Sequence, residues 1–335
     1  MILTPNEGFE GTFADQQEVR DRLAALRSAA DLGAEHPGVS FVTLPEAVGK
    51  LGGHGVIVRA GLRLIAEKFA DYGITDLLSH TRFWVGWKSV VPGDFGGFHR
   101  PYQGYRHWQA GAVITMYGDL SGRRPVPAEL RALDLIRSYA HDGGGHWSSY
   151  RRYVLHPSAR VVYRTRYGYN SRDLDGTSYS KADAPTPEES RNTRPARNLG
   201  VIMEGGTDLT ARQITAQVAE MFGITEAQFS GVDRFAFRDL VGSLDQSDHD
   251  AELSALRRRD KAEVLSGTDL YLARMAFYDN LVSAPYAAFL NEVGRDEAMH
   301  LHEVLYRAML TGERGPVSRW LQDHHGRTFA EMFQR

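Results

Sequence analysis

The sequence predicts an α+β fold, with a mixed N-terminal half carrying antiparallel hairpins and a predominantly helical C-terminal half. Three observations predict it. Strand-type alternation runs through 150–170, where Val161, Tyr163, Tyr167 and Tyr169 share one parity and Arg160, Arg164 and Arg166 the other. From Thr225 onward helical periodicity dominates, over 248–265, 268–282, 285–293, 296–310 and 316–333. Between the two regimes lies 182–197, with three prolines, several charges and no apolar period, which reads as a long surface loop. The loop divides a mixed portion, 1–197, from a mainly helical one, 198–335, the two being separate domains or packed as one.

The bulk composition limits what the protein does. At 335 residues, 42% hydrophobic and 24% charged, the chain is long enough to build a sizeable core. A formal net charge of −3 argues against a surface that coats nucleic acid or an anionic membrane. Without cysteine there is no disulfide, thiolate zinc site, iron–sulfur cluster or cysteine nucleophile. Any metal must therefore sit on His, Asp or Glu. The N-terminus lacks a basic start with an apolar core, and no run of eighteen apolar residues occurs, so a soluble, cytoplasmic protein without membrane contact is expected.

Taken in order, 15–31 carries Val19, Leu23 and Leu26 at helical spacing and reads as an amphipathic helix. Short apolar pieces over 39–58 precede a second helix, 62–72, closed by Gly73. The intervening Leu51-Gly52-Gly53-His54-Gly55 is a weak candidate for anion contact through backbone amides. From Phe83 to Trp108 eight aromatic residues alternate with five glycines, and His99, Arg100, Arg106 and His107 are interspersed. This predicts an irregular wall or lid over a pocket, or rings folded into the core. A buried strand is expected over 110–117, and a helix over 128–140 behind Pro125 and Pro127. Strands at 150–155 and 160–170 follow, and Asp175-Gly176 signals a further hairpin. A short strand over 198–204 is expected to break at Gly205-Gly206, with a new helix capped at Thr210 and closed by Gly223.

The chemistry concentrates between His141 and Asn170. His141, Asp142 and His146 lie within six residues and offer the ligand types of a thiol-free zinc, iron or manganese site. Three consecutive glycines, Gly143 to Gly145, disfavour a helix there by on the order of 2–3 kcal/mol against alanine. A helix end followed by a loop is expected instead. The bland alternative is a glycine-rich terminus with His141 beside the carbonyl end of the helix dipole. Without metal, His146 serves as general base, Asp142 orients it and Tyr150 acts as acid. Between Trp147 and Asn170 stand five arginines and no acid. Arg151, Arg164 and Arg166 suit a carboxylate or phosphate, while His99 and Trp108 would line the cover. The same arginines stretched over neighbouring tyrosines need no ligand. Glu297, His300, His302 and Glu303 have the spacing of a di-iron helix pair, but no second Glu-x-x-His exists.

These features converge on an enzyme for a small anionic or polar substrate, with a divalent metal or acid–base centre at His141, Asp142 and His146. Metal-assisted hydrolysis is the simplest chemistry, and non-haem iron oxidation stands beside it. The alternative is a module binding a nucleotide or single-stranded nucleic acid on the Arg/Tyr hairpin. The net acidity weighs against that partner, and the helical half offers a surface for a homodimer.

Overall fold

All the described strands lie between Glu7 and Ser171, interspersed with helices, and from Leu199 onward the described elements are helical, which gives the fold its mixed α+β character. The computed structural model describes residues 7–24, 33–34, 39–75, 77–89, 97–100, 105–108, 126–148, 151–155, 162–167, 170–171, 199–245 and 279–328. The chain opens with β1 (Glu7–Glu10), α1 (Phe13–Ala24), β2 (Val39–Thr43), α2 (Leu44–Lys50) and α3 (Gly55–Asp71). Strands β3 (Phe83–Ser89), β4 (Gly97–Arg100) and β5 (Tyr105–Trp108) follow. Helix α4 (Ala128–Ser138) runs on as a π-helical segment, Tyr139–His146, before β6 (Arg151–Leu155), β7 (Val162–Tyr167) and β8 (Asn170–Ser171). The helical half contains α5 (Leu199–Met221), α6 (Gly231–Val241), α7 (Ala284–Phe289), α8 (Ala298–Thr311) and α9 (Gly315–His325).

The strands form two four-stranded sheets, ordered β1-β6-β7-β8 and β2-β3-β5-β4. The hairpin expected at 150–170 is present as the antiparallel β6/β7 pair, with Leu155 opposite Val162 and Tyr153 opposite Arg164. The aromatic stretch from Phe83 to Trp108 departs from expectation. Instead of an irregular wall, its described residues are strands, and β3 and β5 run parallel with Val85 opposite Trp108. Phe, Trp, Tyr and Val fit a pleated, half-buried surface, and Phe83 and Val85 deliver their side chains to the core at alternate positions. At Leu51 to Gly55 the chain makes a single 3₁₀ turn between α2 and α3 rather than an open anion loop, and His54 pairs with Glu129 at 3.1 Å.

The second departure is α5. The expected strand over 198–204, glycine break and restart at Thr210 are replaced by one unbroken helix through Met221. Gly205 is a packing position: a Cβ there would lie 2.4 Å from Tyr286 Cβ. Thr210 caps nothing, because its hydroxyl turns back to the Gly206 carbonyl at 3.0 Å, as Thr207 does to Met203 at 2.8 Å. Such bonds let a polar helix sit in a dry interior. Helix α5 packs on α3, α4, α6, α7 and α8, and one hydrophobic core extends from Leu44 to Leu321. The expected strand at 110–117, the hairpin at Asp175-Gly176, the loop 182–197 and the helix 248–265 lie outside the described residues.

Candidate metal centre

The centre is built where α4 changes pitch. The helix does not end at His141, as three glycines suggested, but widens into the π-helical segment Tyr139–His146. Here glycine is selected by close approach. A Cβ on Gly143 would fall 2.5 Å from the Tyr139 ring, on Gly144 2.7 Å from Phe69 Cζ, and on Gly145 2.5 Å from Thr207 Cγ2. The segment is packed on these sides by α3 and α5, and that packing outweighs the poor helix propensity. Leu78, from the stretch before β3, donates its amide to the Gly143 carbonyl at 3.2 Å, while Tyr139 Oη donates to the Leu78 carbonyl at 2.5 Å.

The change of pitch aligns the histidines. At 3.6 residues per turn, positions five apart differ by about 140° around an α-helix. With i→i+5 bonding they fall one turn apart on the same face. His141 and His146 accordingly lie with ring centroids 4.7 Å apart. Asp142 Oδ1 sits 2.8 Å from His141 Nδ1. From the facing helix α5, Glu204 Oε2 reaches His146 Nε2 at 3.1 Å and stands 3.6 Å from His141 Nε2. His146 is 4% exposed, whereas Glu204 is 35% exposed and is the more solvent-accessible of the two.

Electrostatics favour a cation here. Burial opposes charge on His141, yet the hydrogen bond and charge of Asp142, with Glu204 and Asp208 beyond, hold its pKa above the ordinary imidazole value. Its Nε2 is buried without a hydrogen-bond partner among the described residues. One donor atom from each of His141, Asp142 and His146 lies within 4.8 Å of the others, a spacing open to an ion. The Glu204 oxygen adds two edges of 3.1 and 3.6 Å to the imidazole nitrogens. Ligand bonds of 2.0–2.2 Å in a tetrahedron imply edges of about 3.3 Å. The donor set therefore fits a small divalent ion, with Asp142 able to bind it or, through Nδ1, to orient His141 as carboxylates do behind ligating histidines.

No family model, curated protein or solved structure matches the chain.

Of the other candidates, several lie on strands of the two sheets. Tyr150 lies outside the described residues. Arg151 opens β6, and Arg164 and Arg166 lie on β7 of the same sheet, with Arg166 paired to Arg152. His99 and Trp108 belong to the other sheet, on β4 and β5, opposite Arg106 and Gly97. In the C-terminal half the residues with di-iron spacing have other partners. His302 is fully buried between Tyr286 Oη at 2.9 Å and Thr210 Oγ1 at 3.2 Å. Glu303 takes Lys68 at 3.0 Å and Tyr72 Oη at 2.6 Å. Glu204 is the residue that sequence reasoning did not find. Its signal was the four-residue rhythm Glu204, Asp208, Arg212, which an expected strand and glycine break concealed.

Proposed function

We propose that the protein is a metal-dependent enzyme whose divalent zinc, iron or manganese ion is held by His141 and His146, with Glu204 as carboxylate ligand and Asp142 behind His141. The observation that supports this most directly is the convergence of two imidazole nitrogens on one carboxylate oxygen, at 3.1 and 3.6 Å, where one of those nitrogens, His141 Nε2, is buried without a hydrogen-bond partner among the described residues. A bound ion of this kind supplies a water activated for attack at neutral pH, and the reaction class is hydrolysis of a small anionic or polar substrate. His141 and His146 would hold the ion from the buried side. Glu204, being half-exposed, borders the position open to substrate. A second reading, oxidation at Fe(II), is favoured by the composition of the set, since two histidines and one carboxylate with open positions is the ligand group of non-haem iron oxygenases.

Elemental analysis of the purified protein tests the reading. About one equivalent of a transition metal is expected, lost in His141→Ala, His146→Ala and Glu204→Ala, and its identity separates hydrolysis from oxidation. Background metal content, the same in parent and variants, would refute it.

A further inference from the structure

Helices α4 and α5 run antiparallel, and one pairing recurs along them. Two nitrogens of Arg137 reach Asp208 Oδ1, at 2.8 and 3.3 Å. One turn further, four residues on in α4 and four back in α5, His141 faces Glu204. The arginine–aspartate pair and the imidazole–carboxylate pair are thus consecutive rungs of one ladder. Asp208 is 2% exposed and is gripped from its other oxygen by Arg212 Nε at 2.7 Å. Arg212 in turn holds Asp279 at 2.9 Å and Asp239 at 3.2 Å. The lattice fastens α4, α5, α6 and the turn before α7 to one another.

A lattice so deeply buried is a poor source of stability, because desolvating the charges offsets most of their attraction. Its value is geometric. A slip of one residue between the helices displaces Glu204 by about 1.5 Å, enough to separate it from both imidazoles. We propose that Arg137 and Asp208 are positioning residues, which fix the register of α4 against α5 and thereby set the geometry and affinity of the metal centre proposed above. They need not touch the ion. The inference rests on that reading of the centre, to which it adds how the centre is held in shape.

Cobalt(II), a spectroscopically visible substitute, tests it in the full-length protein. Its dissociation constant and ligand-field spectrum are to be compared in the parent, in Asp208→Asn, and in Arg137→Met combined with Asp208→Leu. The double variant removes both charges of the rung together, a change that buried pairs tolerate better than loss of one partner, and Asp239, which Arg137 Nη1 also reaches at 3.2 Å, retains Arg212 at 3.2 Å. Both are expected to bind cobalt about 10–100-fold more weakly, with altered ligand-field bands, as for lost outer-shell support. Leu305→Ala, a core truncation on α8, should lower the melting temperature and leave the spectrum unchanged. A folded variant of the rung with the parent's affinity and spectrum would overturn the positioning role. A parent that binds no cobalt would overturn the centre itself, and this role with it.

Discussion

Gly144 rests against the ring of Phe69 so closely that a Cβ at that position would come within 2.7 Å of Cζ and 2.8 Å of Cε2. The contact sets local propensity against packing. In an exposed helix, alanine in place of glycine gains about 1 kcal/mol. Here overpacking should win, so Gly144→Ala is expected to lower stability by about 1–3 kcal/mol. Urea unfolding of the variant measures the balance, and a stabilised protein would show the interior to be looser than the contact implies.

His302 carries a pH dependence whose sign follows from its surroundings. Burial, opposed by the nearby Glu303 carboxylate and reinforced slightly by Lys68, pushes its pKa from 6.5 down to about 4. The folded state thus prefers the neutral ring, whereas the unfolded chain protonates it near pH 6.5. The stability tied to this preference is complete above that pH and is lost as pH falls through about 4. It amounts to on the order of 3 kcal/mol. In His302→Gln, which stays neutral and still hydrogen-bonds, the fall in stability between pH 7.5 and 4 should be smaller by that amount. Equal slopes for parent and variant would count against a neutral buried imidazole.

Metal should couple to folding. An ion that binds the folded centre and not the unfolded chain stabilises by about 2.7 kcal/mol at a hundred times its dissociation constant. Adding zinc or cobalt should raise the melting temperature, a chelator should reverse the rise, and His146→Ala should abolish it. A shift of the same size in that variant would locate the ion elsewhere.

Along β7 the register against β6 shifts, so that Arg164 lies opposite Tyr153 and Arg166 opposite Arg152, and the strict alternation expected over 160–170 does not put both arginines on one face. If one of these arginines receives the anionic part of a substrate, its replacement by alanine should weaken binding by about 1.5–3 kcal/mol and leave melting unchanged. Calorimetric titration with inorganic phosphate, the simplest anionic probe, distinguishes this from a solvated sheet face, where the arginine variants would bind as the parent does.

What could be read from the sequence depended on whether burial agreed with local propensity. Helix α4 was legible because Leu130, Leu133 and Ile136 lie on one stripe and all three are buried. His141, Asp142 and His146 were legible as a set because they are close in the chain. The π-helical path between them was not. Gly143 to Gly145 and Gly205 signal a break to any scale based on propensity, whereas in the fold they are the places where a helix touches Tyr139, Phe69, Thr207 and Tyr286. The same misreading hid α5 and, with it, Glu204. The partner of the two histidines comes from a helix 58 residues past His146, and only packing reveals such a neighbour.

The clasp between Leu78 and the π-helical segment makes one backbone amide a gauge of the whole centre. Because Leu78 N–H is held by the Gly143 carbonyl, and the Leu78 carbonyl by Tyr139, this amide is tied at both ends to the segment that carries the histidines. Its exchange with solvent deuterons requires this clasp to part, so its exchange rate reports the free energy of separating the histidine-bearing segment from the stretch before β3.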